Sequence, residues 1–103
     1  MSYNTSTYDS GPVYIYGLVD PIIGAIFYVG ISINPWARID GHRNDPASSA
    51  RPRVRDLIKI GFDVEIDILE VHPTRRAAEH RERVFIDVLP GLVNRERRKP
   101  RVA

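Results

Sequence analysis

The sequence predicts an α+β domain: a small three-stranded antiparallel sheet flanked by helices, in the order β-β-α-α-β-α. Three observations predict it. Two β-branched and aromatic runs, residues 13–19 and 25–30, flank Asp20-Pro21-Ile22-Ile23-Gly24, whose composition is that of a turn, so they form a hairpin. Residues 62–71 alternate Phe62, Val64, Ile66 and Ile68 with Asp63, Glu65 and Asp67, the period of a strand with one wet face. Three other stretches carry helical start or stop signals, and they do not alternate strictly with the strands.

Taken in order, residues 1–11 are polar and have no apolar period, which reads as a mobile arm. In the hairpin, a turn centred near Ile22 sets Tyr28 opposite Tyr16, or opposite Tyr14 after a slip of two. In either register Tyr14, Tyr16 and Tyr28 share one face, and Val13, Ile15, Val19 and Phe27 share the other. A face with three hydroxyls is costly as plain core, because each buried phenol needs a hydrogen-bond partner. Asn34-Pro35 then supplies an N-cap and a first-turn proline for a helix over 35–43, with Trp36 and Ile39 facing inward. Residues 44–50 read as a loop. A second helix over 53–60 carries Val54, Leu57 and Ile58 and stops at Gly61. The longest helix, over 74–89, has Ala78, Phe85 and Leu89 as its apolar stripe, with Val88 beside it, and ends at Pro90-Gly91. Residues 95–103 form a basic tail.

The chain has 103 residues, enough for one domain, expected over 12–94. It has no cysteine, which excludes disulfides and zinc–thiolate sites and fits a cytoplasmic location. The apolar runs are far shorter than the ~20 residues of a membrane span, and no signal peptide is visible at the N-terminus. Net charge is only +2, but thirteen of the fifteen cations are arginine, the side chain that grips phosphate through a planar fork. Arg51, Arg53, Arg55, Arg95, Arg97 and Arg98 are candidate contacts to a nucleic-acid backbone.

Two anomalies carry functional information. Arg38 lies ten residues after Tyr28 and His42 four after Arg38, so a phenol and Gly30 at a strand end are followed by a cation and an imidazole on one helix face. Glu82 falls inside the apolar stripe of the last helix, four after Ala78 and three before Phe85. A carboxylate there is costly unless it is paired or bound to a cation. Tyr16 reads as packing with a possible supporting role. His72 reads as a surface residue at a strand end, and Glu70, Glu79 and His80 as solvated.

With these residues in place the chain resembles the GIY-YIG nuclease superfamily, which hydrolyses phosphodiesters in DNA. The first motif element stands here as Pro12-Val13-Tyr14, with proline where the family has glycine, and the second as Phe27-Tyr28-Val29-Gly30. The family's arginine, histidine, glutamate and late asparagine fall on Arg38, His42, Glu82 and Asn94. The resemblance implies a DNA endonuclease that uses Mg²⁺ or Mn²⁺ held by Glu82. It implies Tyr14 as general base, Arg38 on a phosphate oxygen, and Tyr28, His42 and Asn94 in support. The chain leaves no room for a second, targeting domain. Its specificity is therefore expected to be low, directed to a DNA structure or single strand, or supplied by a partner protein. The alternative reading is a nucleic-acid-binding module that does not cut.

Overall fold

The hairpin is set by its turn. The computed structural model describes residues 12–94. The arm, the tail, and with the tail Arg95, Arg97 and Arg98, lie outside the described residues. At the turn, the Gly24 N–H donates to the Asp20 carbonyl (2.8 Å) and the Ile22 N–H to the Asp20 carboxylate (2.8 Å). Gly24 takes a φ of +71°, a conformation that costs glycine little and side-chain-bearing residues more. The strands so joined are β1 (Val13–Asp20) and β2 (Ala25–Ser32). They are followed by α1 (Pro35–Asn44), α2 (Arg51–Lys59), β3 (Glu65–His72) and α3 (Arg75–Val88). The sheet is antiparallel with β1 in the centre, in the order β2-β1-β3, and the element order is the expected one.

The helix starts follow from local chemistry. The Asn34 side chain accepts from Ala37 N–H (3.3 Å) and Thr74 Oγ1 from Ala77 N–H (3.1 Å), each satisfying a donor that the first turn leaves open. The helix α2 begins two residues earlier than expected, with Pro52 in its first turn. β3 begins later: Phe62 stays in the preceding loop, 47% exposed.

Register is where the hairpin departs from expectation. Tyr28 pairs with Leu18, Gly30 with Tyr16 and Ser32 with Tyr14, and a bulge separates Leu18↔Tyr28 from Val19↔Ile26. Phe27 is the extra residue of that bulge, which releases it from strict alternation. It therefore packs with Tyr16, Leu18, Ala50 and Val54, not with Val13 and Ile15 as simple parity requires. The slip is an even number of residues, so Tyr14, Tyr16 and Tyr28 still share a face.

Both faces of the sheet are covered. Val13, Ile15 and Val29 pack against Ala78 and Ile86 of α3. Tyr16, Leu18 and Phe27 pack against Ala50 and Val54 at α2, with Ile39 of α1 alongside. The tyrosine face is thus a second core and not a wet surface. Helix α1 presents Pro35 and His42 to it, buried, with Ile39 half-buried, while Trp36 points outward, 53% exposed. Trp36 was expected inside; Pro35, Ile39 and His42 share the inner stripe, and Trp36 falls on its flank.

Two ion pairs tie the layers together. Arg53 donates to Asp20 Oδ2 through Nε (3.3 Å) and Nη2 (3.0 Å) and lies over the Phe27 ring, 5.0 Å from its centroid. Arg53 therefore clamps α2 onto the hairpin turn. On β3, Glu70 accepts from Arg81 through both oxygens (3.0 and 2.9 Å) and bonds His72 (2.8 Å). Glu70 is thus held in place and not merely solvated, and Arg81, with His72, brings its pKa to about 2. Among the described residues no helix is long and apolar enough to cross a membrane.

Candidate active site

The register puts a glycine where a ring needs room. Tyr16 lies across from Gly30, and its phenol leans over that glycine. A Cβ on Gly30 would stand 2.7 Å from Tyr16 Oη, 2.8 Å from its Cζ and 2.9 Å from Tyr28 Cε1. The glycine of the second motif is therefore a slot for the two tyrosine rings. The site forms along β1 and β2 where that slot meets α1.

Four side chains converge there. Tyr16 Oη and His42 Nε2 are 2.9 Å apart, and the Tyr28 ring meets His42 edge-on at 4.6 Å between centroids. The Arg38 charge acts on both the Tyr16 and the Tyr28 phenols. On its other side His42 Nδ1 bonds Ser48 Oγ (2.7 Å). Ser48 is fixed by the loop after α1: the Asp45 carboxylate accepts from Ala47 N–H (2.9 Å), the Asp45 carbonyl from Ser48 N–H (2.9 Å), and Ser48 Oγ from Ala50 N–H (3.2 Å). Tyr28, Arg38, Gly41, His42, Asp45 and Ser48 line an open cleft of about 200 Å³.

A neutral His42 carries one ring hydrogen, so with that hydrogen on Nδ1 it donates to Ser48 Oγ and its Nε2 accepts from the Tyr16 O–H, and the other tautomer reverses both bonds. Burial, with the Arg38 charge in support and Asp45 opposing, lowers His42 to about 4. Burial above all, with Tyr28 adding, holds Tyr16 well above the ordinary phenol range, and Arg38 works against both. Burial also raises Tyr28, opposed by Arg38 and reinforced by the Glu82 carboxylate. At rest the pair is therefore a neutral phenol bonded to a neutral imidazole beside a permanent cation.

A stability prediction follows. Unfolded His42 titrates near pH 6.5, and folded His42 near 4. Between those values the unfolded chain binds the extra proton, so stability falls as pH drops through this window, by at most roughly 3 kcal/mol. Denaturant unfolding at pH 7 and pH 4.5 checks it. Wild type should lose more than His42→Gln, which has no proton to bind.

Glu82 and Asn94 reach the site differently. Glu82, half-buried on α3, lines a neighbouring hollow with Glu79, Arg83 and Ile86 and is linked to the cleft through its field on Tyr28. Asn94, expected in support of the site, bonds the backbone of Val29 through its amide, donating to the carbonyl (2.6 Å) and accepting from the N–H (3.4 Å). It acts as a one-residue strand on the outer edge of β2, between Tyr28 and Gly30. Tyr14, the expected base, stands one pleat further along β1, half-buried, and packs edge-on against Trp36 at 5.7 Å. Tyr16, and not Tyr14, is the phenol bonded to His42. The missed signal was the register, since only a slip that sets Gly30 opposite Tyr16 makes room for its ring. Ser48 and Asp45 gave no sequence signal, because a loop serine six residues after a histidine has no distinguishing pattern.

A phenol–imidazole pair beside an arginine, on a three-stranded sheet with a glutamate helix on its other face, is the frame of a phosphodiester-cleaving nuclease domain. A family model for the GIY-YIG catalytic domain matches residues 12–91, and the chain belongs to that family, whose members are endonucleases. Neither a curated protein nor a solved structure matches the chain at comparable significance.

Proposed function

We propose that this chain is a metal-dependent DNA endonuclease in which Tyr16, not Tyr14, is the reacting phenol. The observation that carries the reading is the 2.9 Å bond between Tyr16 Oη and His42 Nε2 beside Arg38. Arg38 would hold a non-bridging oxygen of the scissile phosphate, where its charge counts for more as negative charge builds in the transition state. A water attacks phosphorus as the bond to the leaving 3′-oxygen breaks. The water's proton passes to the Tyr16 oxygen, and the Tyr16 proton passes to His42 Nε2. The resulting imidazolium is stabilised by Ser48 on Nδ1–H and by the nearby Asp45 charge. A bound phosphate also offsets the Arg38 charge that depresses His42, so substrate binding itself makes the imidazole a better base. The leaving oxygen is protonated from solvent.

Among the described residues no cluster of three or more histidine, cysteine or acidic side chains could cage a metal ion. Glu82 offers a single hard oxygen donor, which fits Mg²⁺ or Mn²⁺ bound through one carboxylate, waters and substrate phosphate. Glu82 would be the protein ligand. When bound, the ion supplies charge to stabilise the phosphoryl group and the leaving oxygen. Tyr28 would position the phosphate or the attacking water. Asn94 is a positioning residue that fixes the edge strand between Tyr28 and Gly30.

The test is cleavage of supercoiled, linear, branched and single-stranded DNA by the purified chain, with Mg²⁺ or Mn²⁺ and with EDTA. Metal-dependent nicking or cutting that EDTA stops supports the reading. Salt-dependent binding with no cleavage of any substrate in either metal overturns it in favour of a binding module that does not cut.

A further inference from the structure

Three arginines near the start of α2 invite the same reading, and the structure separates them. Arg53 is held by Asp20 and stacked on Phe27. Arg55 is exposed and reaches the Arg43 carbonyl at 3.5 Å. Arg51 is different: its Nε–H is buried and has no acceptor among the described residues. A buried donor attached to a full charge is costly to leave unmade, and an anionic acceptor would satisfy both the donor and the charge.

Arg51 also sits where such an acceptor would be delivered. With Ser48, Ser49, Arg53 and Asp56 it lines an open groove of about 500 Å³. Ser48 and Ser49 line the Tyr28–His42 cleft as well, so the two hollows meet at these two serines. Resting on the nuclease reading above, we propose that this groove holds a second phosphate of the cleaved strand, next to the scissile one, with Arg51 as its anchor. A strand lying from Arg38 past Ser48 and Ser49 to Arg51 meets two cations in sequence, with two hydroxyls between them. Asp56 flanks the groove and disfavours anions that Arg51 does not grip directly. Such a contact sets the register of the strand over the cleft and carries no base information.

The experiment measures binding and cleavage of a single-stranded oligonucleotide by the full chain, wild type, Arg51→Ala and Arg51→Lys, across a salt series. Binding is read in EDTA. Arg51→Ala should weaken binding about tenfold and reduce the salt slope by about 0.7. Arg51→Lys should restore the slope but not the full affinity, since lysine keeps the charge and lacks the fork. A substrate-side arm needs no variant. A single neutral methylphosphonate is moved along the strand. At one position beside the cleavage point it should weaken wild-type binding about tenfold and leave Arg51→Ala unaffected. Equal affinity and slope for wild type and Arg51→Ala, or no position at which the two proteins differ, overturns the proposal. Because binding is read without metal, failure of cleavage alone would count against the nuclease reading and leave the Arg51 result standing.

Discussion

Glu82→Ala should bind DNA as wild type does and cut it at least about a thousandfold more slowly, as expected when a metal's several kcal/mol of charge stabilisation is lost. α3 turns Ala78 and Ile86 into the core of the first sheet face, and Glu82 lies between them on the same helix, half-buried. From there its charge is felt by Tyr28. Glu82→Gln keeps shape and polarity while removing the charge, and should be almost as slow. Single-turnover cleavage with Mg²⁺ and binding in EDTA, measured on the same preparations, separate the two effects. A Glu82→Gln protein that cuts at the wild-type rate would remove Glu82 from the metal site.

Gly30→Ala should be nearly as damaging, and for a steric reason. The added methyl meets the Tyr16 ring at its oxygen and Cζ and the Tyr28 ring at Cε1, all under 3.0 Å. Tyr16 has nowhere to retreat: it is 1% exposed, and its oxygen is bonded to His42. Overpacking of this kind costs about 1–3 kcal/mol of stability. It must also displace the phenol from the imidazole, and a misplacement of ~1 Å can cost about a hundredfold in rate. Thermal unfolding and cleavage should therefore both fall. A variant with wild-type cleavage would mean that the Tyr16–Gly30 packing does not set the site. The same geometry explains why the motif ends in glycine.

Much of this was legible in the sequence, and the failures have one cause. Strand and helix identities are local properties, written in the alternation of 62–71 and in caps such as Asn34 and Thr74, and these read correctly. The helix spacing of Arg38 and His42 is equally local, and both reach the cleft. Register is not local. The turn centres between Ile22 and Ile23 and a bulge at Phe27 adds one more residue, and no propensity marks either, so Gly30 and not Tyr28 stands opposite Tyr16. That slip left Tyr16 read as packing, where the fold bonds its hydroxyl to His42. The partners of Arg53 and Asn94 are not local either: the fold brings Asp20 to the one and the Val29 backbone to the other. Ser48 reaches His42 because Asp45 tightens the loop between them.

The measurement that bears most directly on the central claim compares Tyr16→Phe with Tyr14→Phe in single-turnover cleavage at saturating DNA and Mg²⁺. Each variant deletes one hydroxyl and keeps the ring. Tyr16→Phe removes the group bonded to His42 and should slow cleavage about a hundredfold or more, the usual worth of a positioned proton-transfer group. Tyr14→Phe leaves its ring on Trp36 and should stay within about threefold of wild type. The reverse ranking, with Tyr14→Phe inactive and Tyr16→Phe unimpaired, would contradict the account.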